Sequence, residues 1–186
     1  GNDNLVLRPE GTAAIARAII SNSLEQEVNN KFFYFGPMFR RENPQSGRLR
    51  QFHQVGVEYF GPSNYLSDLE VISLAEKFLL NIGIREKLEL QINSLGNKKS
   101  RDLYNIELKN YMQNNIHKLS DLSKVRVAKN SLRILDSKEE KDKEIIEKAP
   151  DIKNFLDEES SKLFFNLVNG LDKLNIKYRV NRFLVR

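Results

Sequence analysis

The sequence predicts an α+β fold in which a β-hairpin precedes a mainly helical region. Two apolar runs flank a loop between residues 32 and 60, and both runs are rich in Phe, Tyr and Val, which is typical of strands. From residue 96 to residue 175 the chain is rich in Lys, Asn and Glu, and its apolar residues recur mostly at helical spacing. We therefore predict a first domain at residues 1–95, a separate helical domain at residues 96–175, and a closing strand at residues 176–186 that returns to the sheet of the first domain.

The composition bounds the class of protein. Hydrophobic residues make up 40% of the 186 residues and charged residues 30%, which supplies a core and favours a soluble, cytoplasmic protein. No apolar run approaches the length of a membrane span, so we expect no membrane partner. The net charge of +5 permits an RNA partner without demanding one. The absence of Cys excludes disulfides and thiolate metal sites.

The other possible metal ligands do not predict a metal site. His53 and His117 are the only histidines, they lie far apart, and no Asp or Glu cluster has the spacing of a metal site. Because His53 alternates with Val55 and Val57 on a predicted strand, we interpret it as a packed residue with no catalytic role.

At the N-terminal end, residues 5–7 predict a short strand and residues 8–12 a turn that leads into a helix. Thr12 suits the N-cap position, and residues 13–24 are good helix formers. Taken alone, the acidic and hydroxyl side chains of the turn are what the start of a helix requires.

The stretch from Phe32 to Phe60 carries the clearest functional signal. Strand alternation places the even-numbered residues of both runs on one face, and on the second run that face carries Gln, Gly and Glu, which suits water or a ligand better than a core. Pairing Gly36 with Gly56 would give this face a floor of two glycines, with a cation at one end and a carboxylate at the other. A nucleotide bound beside an amino acid fits this layout. A solvated hairpin with a charged loop fits the composition equally well.

The later elements are mostly helical. The predicted elements are, in order, an amphipathic core helix at residues 68–82 ended by Gly83, a half-buried strand at 88–95, helices near 99–118, 139–148 and 157–174 with a shorter helix after the first, and a strand-like run at 132–135. Two basic clusters suit phosphate groups, although charged helix surfaces are more often simply solvated. They consist of Lys98, Lys99 and Arg101, and of Lys124, Arg126 and Lys129.

Several motifs resemble one family of enzymes. The segment FRRENPQSGRLRQFHQVGVE at residues 39–58 resembles motif 2 of the class II aminoacyl-tRNA synthetases, in the version found in histidyl-tRNA synthetases. LRPEGT at residues 7–12 is similar to the histidine-binding stretch of that family. Further matches follow in order: LDSK at residues 135–138, LDEES at 156–160 and NRFLVR at 181–186. The resemblance covers essentially the whole chain and implies part of a class II antiparallel-sheet catalytic core with a helical insertion domain.

The resemblance implies an activity and a set of site residues. The activity is ATP-dependent activation of histidine followed by transfer to tRNA(His), with Mg²⁺ accompanying ATP and held by phosphates and water more than by protein. The full-length protein is implied to be a homodimer, and its insertion domain to approach the acceptor arm of the tRNA. The implied catalytic residues are Arg40 and Arg186, the implied ATP-binding residues are Arg40, Glu42, Arg48 and Phe52, and the implied histidine-binding residues are Glu10, Thr12, Gln54 and Glu58.

The chain lacks an initiator Met and both of its ends lie in apolar runs, so we expect an excerpt of a longer synthetase. Two alternatives accompany this interpretation. One is a non-catalytic regulatory subunit of histidine biosynthesis, which keeps the fold and loses parts of the site, and the intact LRPEGT and motif 2 residues argue against it. The other is a structural or RNA-binding fragment without activity in isolation, which is compatible with a synthetase as its parent.

Overall fold

The computed structural model describes residues 6–24, 30–43 and 45–185. The chain forms two compact units, Gly1–Val71 and Ile72–Arg186, which we call unit 1 and unit 2. The domain boundaries predicted at 95/96 and 175/176 remain predictions. The elements are α1 (Thr12–Ser21), β1 (Asn30–Phe39), β2 (Gln51–Phe60), α2 (Tyr65–Asn81), β3 (Leu90–Ile92), α3 (Lys98–Asn114), α4 (Asp121–Lys129), α5 (Glu140–Glu147), α6 (Glu158–Lys173) and β4 (Tyr178–Val180).

The mixture of helices and a small antiparallel sheet confirms the α+β class. The predicted hairpin is present, because β1 pairs with β2 in antiparallel orientation. The predicted register is wrong by two residues: Gly36 pairs with Gln54, and Gly56 pairs with Tyr34. A shift of two residues leaves every side chain on its predicted face, since strand side chains alternate with a period of two.

The two faces of the hairpin differ in exposure. The even-numbered face of β1 includes Met38, which is only 1% exposed. The odd-numbered face is apolar but open, with Phe33 79% and Phe35 71% exposed. His53 is also exposed there and stacks on the Phe35 ring, with 5.7 Å between the ring centroids. The prediction that His53 is packed in a core is therefore wrong for this chain.

Two predictions at the N-terminal end are corrected. Leu5 lies outside the described residues, and Val6 and Leu7 do not belong to a strand. Helix α1 begins at Thr12 with Gly11 as its N-cap, and this N-cap residue has no side chain to offer an acceptor. The Thr12 hydroxyl is not a cap because it points to a different partner, described below.

Helix α2 joins the two units and has no buried residue, although its apolar spacing predicts a core helix. Apolar residues occur on several of its sides, so the pattern does not define one buried face. The helix ends as predicted near Gly83, whose φ of +75° is accessible to glycine at little cost. The Gly83 and Ile84 N–H groups donate to the Leu80 and Leu79 carbonyls, which closes the helix end.

Unit 2 is built around a contiguous apolar cluster. Three of its helices begin at side-chain caps of the expected kind: Asn97 for α3, Ser120 for α4 and Asp157 for α6. The run at Leu132–Leu135, predicted as a strand, instead lies largely in a short 3₁₀ helix, Ser131–Ile134. The cluster includes Tyr104, Leu108, Met112, Leu119, Val127, Ile134, Leu135, Ile145, Ile146, Ala149, Ile152 and Val185.

A buried carboxylate fastens two helices of unit 2 together. Asp142, in the first turn of α5, is 0% exposed. It accepts hydrogen bonds from the Ser120 N–H at 2.8 Å and from the hydroxyls of Ser120, Ser123 and Ser137 at 2.9, 2.5 and 2.6 Å. Four donors on one carboxylate satisfy its lone pairs and offset the cost of burying it.

The predicted closing strand is present in shortened form. Residues 178–180 form β4, which pairs in parallel with β3 in a second two-stranded sheet. Among the helices in the described part of the chain, none has both the length and the apolar character that crossing a bilayer requires.

Candidate functional site

The segment Arg8–Thr12 lies against the hairpin, and two of its backbone carbonyls accept hydrogen bonds from the end of β1 and the residue that follows it. The Phe39 N–H donates to the Arg8 carbonyl at 2.9 Å, and the Arg40 Nε donates to the Pro9 carbonyl at 2.9 Å. These bonds fix the segment to β1 near the loop. The side chains of Arg8 and Thr12 reach the even-numbered face of β1 and β2, which we call the site face.

At the loop end of the site face, a cleft of about 400 Å³ is lined by charged groups and one aromatic ring. The Arg40 guanidinium lies over the Phe52 ring, 5.0 Å from its centroid, so the cation and the flat apolar surface share one space. Arg48 and Glu42 form an exposed ion pair at 3.6 Å on the other side. The cleft is lined by Arg40, Glu42, Gly47, Arg48, Leu49 and Phe52.

The loop around this cleft is held by hydrogen bonds of its own. The Arg40 N–H donates to the Arg50 carbonyl at 2.9 Å, and the Arg50 Nε donates to the Glu42 carbonyl at 3.1 Å. A second open cavity, lined by Leu7, Phe39, Arg40, Arg41, Arg50 and Gln51, adjoins it. Several guanidinium groups around two neighbouring cavities, both lined by Arg40, favour a ligand with more than one negative charge.

The opposite end of the site face carries carboxylates. The Thr12 hydroxyl donates to Glu58 Oε1 at 2.5 Å, which joins the start of α1 to β2. The Glu10 carboxylate accepts from the Ala13 N–H at 3.1 Å. Between the two ends, Gln54 Oε1 is buried and has no hydrogen-bond partner among the described residues. A buried acceptor without a donor is uncommon in proteins and marks a place for a ligand donor.

Two glycines make room for an aromatic ring on this face. A Cβ added at Gly11 would lie 2.3 Å from the Tyr34 ring, and one added at Gly56 would lie 2.3 Å from the same ring. Tyr34 therefore fills the space between the Arg8–Thr12 segment and β2. At a third glycine, Gly36, the guanidinium of Arg8 occupies the space of the missing side chain. An added Cβ there would lie 2.6 Å from the Arg8 Nη2.

The structure brings most of the predicted site residues together on one face. The four predicted ATP-binding residues line a single cleft, and two predicted histidine-binding residues, Thr12 and Glu58, are hydrogen-bonded to each other. Arg186 lies outside the described residues, so its predicted role stays a prediction. Arg8 and Tyr34 also reach the site face but have no role in the sequence prediction. For Tyr34 the signal was present, since alternation already places it on this face.

Within the described residues, no three His, Cys, Asp or Glu side chains are arranged to hold a metal ion. The cations of the loop end instead suit the oxygens of an anionic ligand.

The comparisons with known proteins agree on one family. The family model described as "Histidyl-tRNA synthetase" matches residues 1–100. The chain is 46% identical to a histidine–tRNA ligase of Pediococcus pentosaceus, over 100% of this chain and 44% of that protein. It is 48% identical to a histidine–tRNA ligase of Latilactobacillus sakei, over 100% of this chain and 43% of that protein. The chain thus spans less than half the length of these curated relatives.

A solved structure is similar over nearly the same range. It is the apo histidyl-tRNA synthetase of S. aureus, which is 34% identical with a TM-score of 0.70. The similarity covers 96% of this chain and 41% of the solved chain.

Proposed function

The chain belongs to the histidyl-tRNA synthetase family, and we propose that the full-length protein containing it activates histidine with ATP and transfers the histidyl group to tRNA(His). The observation that carries the proposal is the cleft lined by Arg40, Glu42, Arg48 and Phe52. It combines a flat ring with guanidinium cations, which are the groups that a nucleotide base and its phosphates need.

We assign ATP to the loop end of the site face. Phe52 supplies an aromatic surface for the adenine ring, and Arg40 above it reaches the α-phosphate. Arg48, which is well exposed and pairs only loosely with Glu42, is available to the far phosphates. Mg²⁺ would accompany ATP through the phosphates and water, since the described residues offer no carboxylate cluster to hold it.

We assign histidine to the opposite end. Glu10 receives the α-amino group and Glu58 an imidazole N–H, with Thr12 holding the Glu58 carboxylate in place. The unpartnered Gln54 Oε1 provides an acceptor between them. Two carboxylates suit a ligand whose amino group and ring N–H are both donors.

The chemistry follows from this arrangement. A carboxylate oxygen of histidine attacks the α-phosphorus of ATP, the bond to pyrophosphate breaks, and histidyl-adenylate forms. Negative charge builds on the phosphoryl oxygens, where the fixed Arg40 guanidinium stabilises it without needing to reorient. The 3′-terminal hydroxyl of the tRNA then attacks the activated carbonyl carbon, and AMP leaves.

The remaining properties of the full-length protein are proposed with the activity. We expect a homodimer in the cytoplasm, with Arg186 contributing a further catalytic cation. The predicted helical domain at residues 96–175 is the part proposed to approach the tRNA. Its basic clusters supply phosphate contacts in that proposal.

ATP–pyrophosphate exchange in the full-length protein tests the proposal. We expect exchange that depends on histidine, and charging of tRNA(His) with labelled histidine. Exchange that is absent, or indifferent to which amino acid is supplied, would contradict the proposal. Histidine binding without any exchange would favour the regulatory-subunit alternative.

A further inference from the structure

One cation on the site face has no role in the proposed function. The guanidinium of Arg8 occupies the space above Gly36, where an added Cβ would lie 2.6 Å from its Nη2. Gly36 pairs with Gln54, whose Oε1 is buried and has no hydrogen-bond partner among the described residues. The Arg8 guanidinium therefore lies at the same level of the hairpin as Gln54, between the two ends of the face. The absence of a side chain at Gly36 thus allows a charged group to lie over the middle of the face.

Arg8 is held in this position at two points. Its Nε donates to the Pro37 carbonyl at 2.9 Å, and its own carbonyl accepts from the Phe39 N–H at 2.9 Å. Within residues 6–24, 30–43 and 45–185, no hydrogen bond or ion pair uses its terminal nitrogens Nη1 and Nη2. A guanidinium tied through Nε presents its terminal N–H groups in a fixed direction, which suits a planar, two-oxygen anion.

The position of Arg8 matches one part of the ligand. Along β2, Gln54 lies four residues from Glu58 and two from Phe52, which corresponds to about 14 Å and 7 Å of strand. A histidine whose imidazole meets Glu58 must direct its carboxylate toward the α-phosphate near Arg40. That carboxylate then passes over the middle of the face, where the Arg8 guanidinium lies.

We propose that Arg8 binds the α-carboxylate of histidine and holds it for attack on ATP. The inference rests on the proposed function. Arg8 would offset the negative charge of the carboxylate as it approaches the phosphates, and its terminal nitrogens would contact both carboxylate oxygens. Gly36 is part of this device, because a larger residue there would displace the guanidinium.

Equilibrium binding in the full-length protein tests the assignment with two ligands. Histidinol has the imidazole and α-amino group of histidine but carries an alcohol in place of the carboxylate. For Arg8→Gln, we expect the Kd of histidine to rise roughly 10- to 100-fold, because a charged hydrogen-bonded pair is lost. The Kd of histidinol should change less than about twofold, since its alcohol never used the charge. Arg17→Gln, which removes an exposed Arg of α1, is the matched control and should change neither value.

Each other outcome has a definite meaning. Equal losses for histidine and histidinol would overturn the inference and make Arg8 a structural tether of Pro37. A weakened Kd for ATP alone would overturn it in favour of a phosphate contact. Unchanged histidine binding in a folded Arg8→Gln variant would also overturn it. If Arg8→Gln does not fold, Arg8→Lys keeps the charge but loses the paired N–H donors of the guanidinium. It should then weaken the binding of histidine by a smaller factor and leave the binding of histidinol unchanged. A wild-type protein without histidine-dependent exchange would instead contradict the proposed function itself.

Discussion

The two units of the chain differ in what they bury. Among the described residues, the buried apolar side chains of unit 1 are Ile19 and Met38, whereas unit 2 contains the contiguous cluster around Leu108. Unit 1 arranges its polar and charged groups on an open face, and unit 2 satisfies its most buried charge, Asp142, entirely with its own donors. A buried or charged group alone therefore does not indicate a binding site. The site face differs from unit 2 because its polar groups remain open to a ligand.

The largest expected effect tests the scaffold side of the comparison. Leu108→Ala should lower the free energy of unfolding of the helical cluster by roughly 3–5 kcal/mol, because Leu108 is 0% exposed and its loss leaves a cavity. Hydrogen exchange of peptides from α3 and α4, measured in the full-length protein, reports this change. Leu103→Ala on the same helix is the control, since Leu103 is 47% exposed and should matter little. Equal losses of protection in the two variants would contradict the conclusion that a buried apolar cluster stabilises unit 2.

The next effect belongs to the site face. Arg40→Ala should lower kcat for pyrophosphate exchange by a factor that corresponds to roughly 3–4 kcal/mol of barrier, because the lost cation meets charge that develops in the transition state. Protection of the unit 2 helices against hydrogen exchange should stay unchanged. Arg17→Ala serves as the control. Near-normal exchange by the Arg40 variant at saturating ATP and histidine would contradict the assignment of ATP to the loop end.

A smaller effect should appear in substrate binding. Glu58→Ala should raise KM for histidine by an amount that corresponds to about 1–3 kcal/mol, because an imidazole N–H loses its acceptor both before and after the chemistry. The KM for ATP should hold steady, as exchange rates measured against each substrate will reveal. Glu70→Ala removes an exposed carboxylate paired with Lys31 in the same unit and is the control. A change confined to kcat would place Glu58 elsewhere in the mechanism.

The smallest expected effect is the pH dependence of the stability that Asp142 contributes to unit 2. Burial raises the pKa of Asp142, but hydrogen bonds from the Ser120 N–H and from the hydroxyls of Ser123, Ser137 and Ser120 outweigh it, so the pKa lies below its ordinary value. The carboxylate therefore stabilises unit 2 above the unfolded-state pKa of about 3.9, and this contribution is lost as the pH falls through the lower, folded-state value.

Hydrogen exchange of α4 and α5 peptides across acidic pH, corrected for intrinsic exchange rates, checks this dependence. Protection should decline as the medium is acidified below about pH 4. Asp142→Asn, which cannot titrate, should lack that component of the decline. An identical decline in both proteins would show that other carboxylates control acid stability.

Strand alternation predicted the faces of the hairpin but could not predict its register. The pattern repeats every two residues, so a pairing of Gly36 with Gly56 and a pairing of Gly36 with Gln54 place the same side chains on the same face. Arg40 and Phe52, which alternation places on one face, do lie together, with the guanidinium 5.0 Å from the ring centroid. Their detailed neighbours depend on where the loop closes, which alternation does not encode.

Other expectations failed because a local pattern does not specify what packs against it. The apolar spacing of α2 predicts burial, but no residue of the helix is buried. Thr12 has the chemistry of an N-cap, yet its hydroxyl donates to Glu58, a residue 46 positions away. Such long-range partners decide the role of a side chain, and the local sequence around Thr12 does not contain them.

The packing of Tyr34 against Gly11 and Gly56 has a consequence at the level of the coding sequence. Every glycine codon becomes an alanine codon through one nucleotide change, and an alanine methyl at either position would fall 2.3 Å from the ring. The Tyr34 ring, which packs between the Arg8–Thr12 segment and β2, would then have to move. Gly11→Ala and Gly56→Ala, although they are small single-nucleotide changes, would therefore disturb the place where the Arg8–Thr12 segment meets β2. These two elements carry the residues that we assign to histidine.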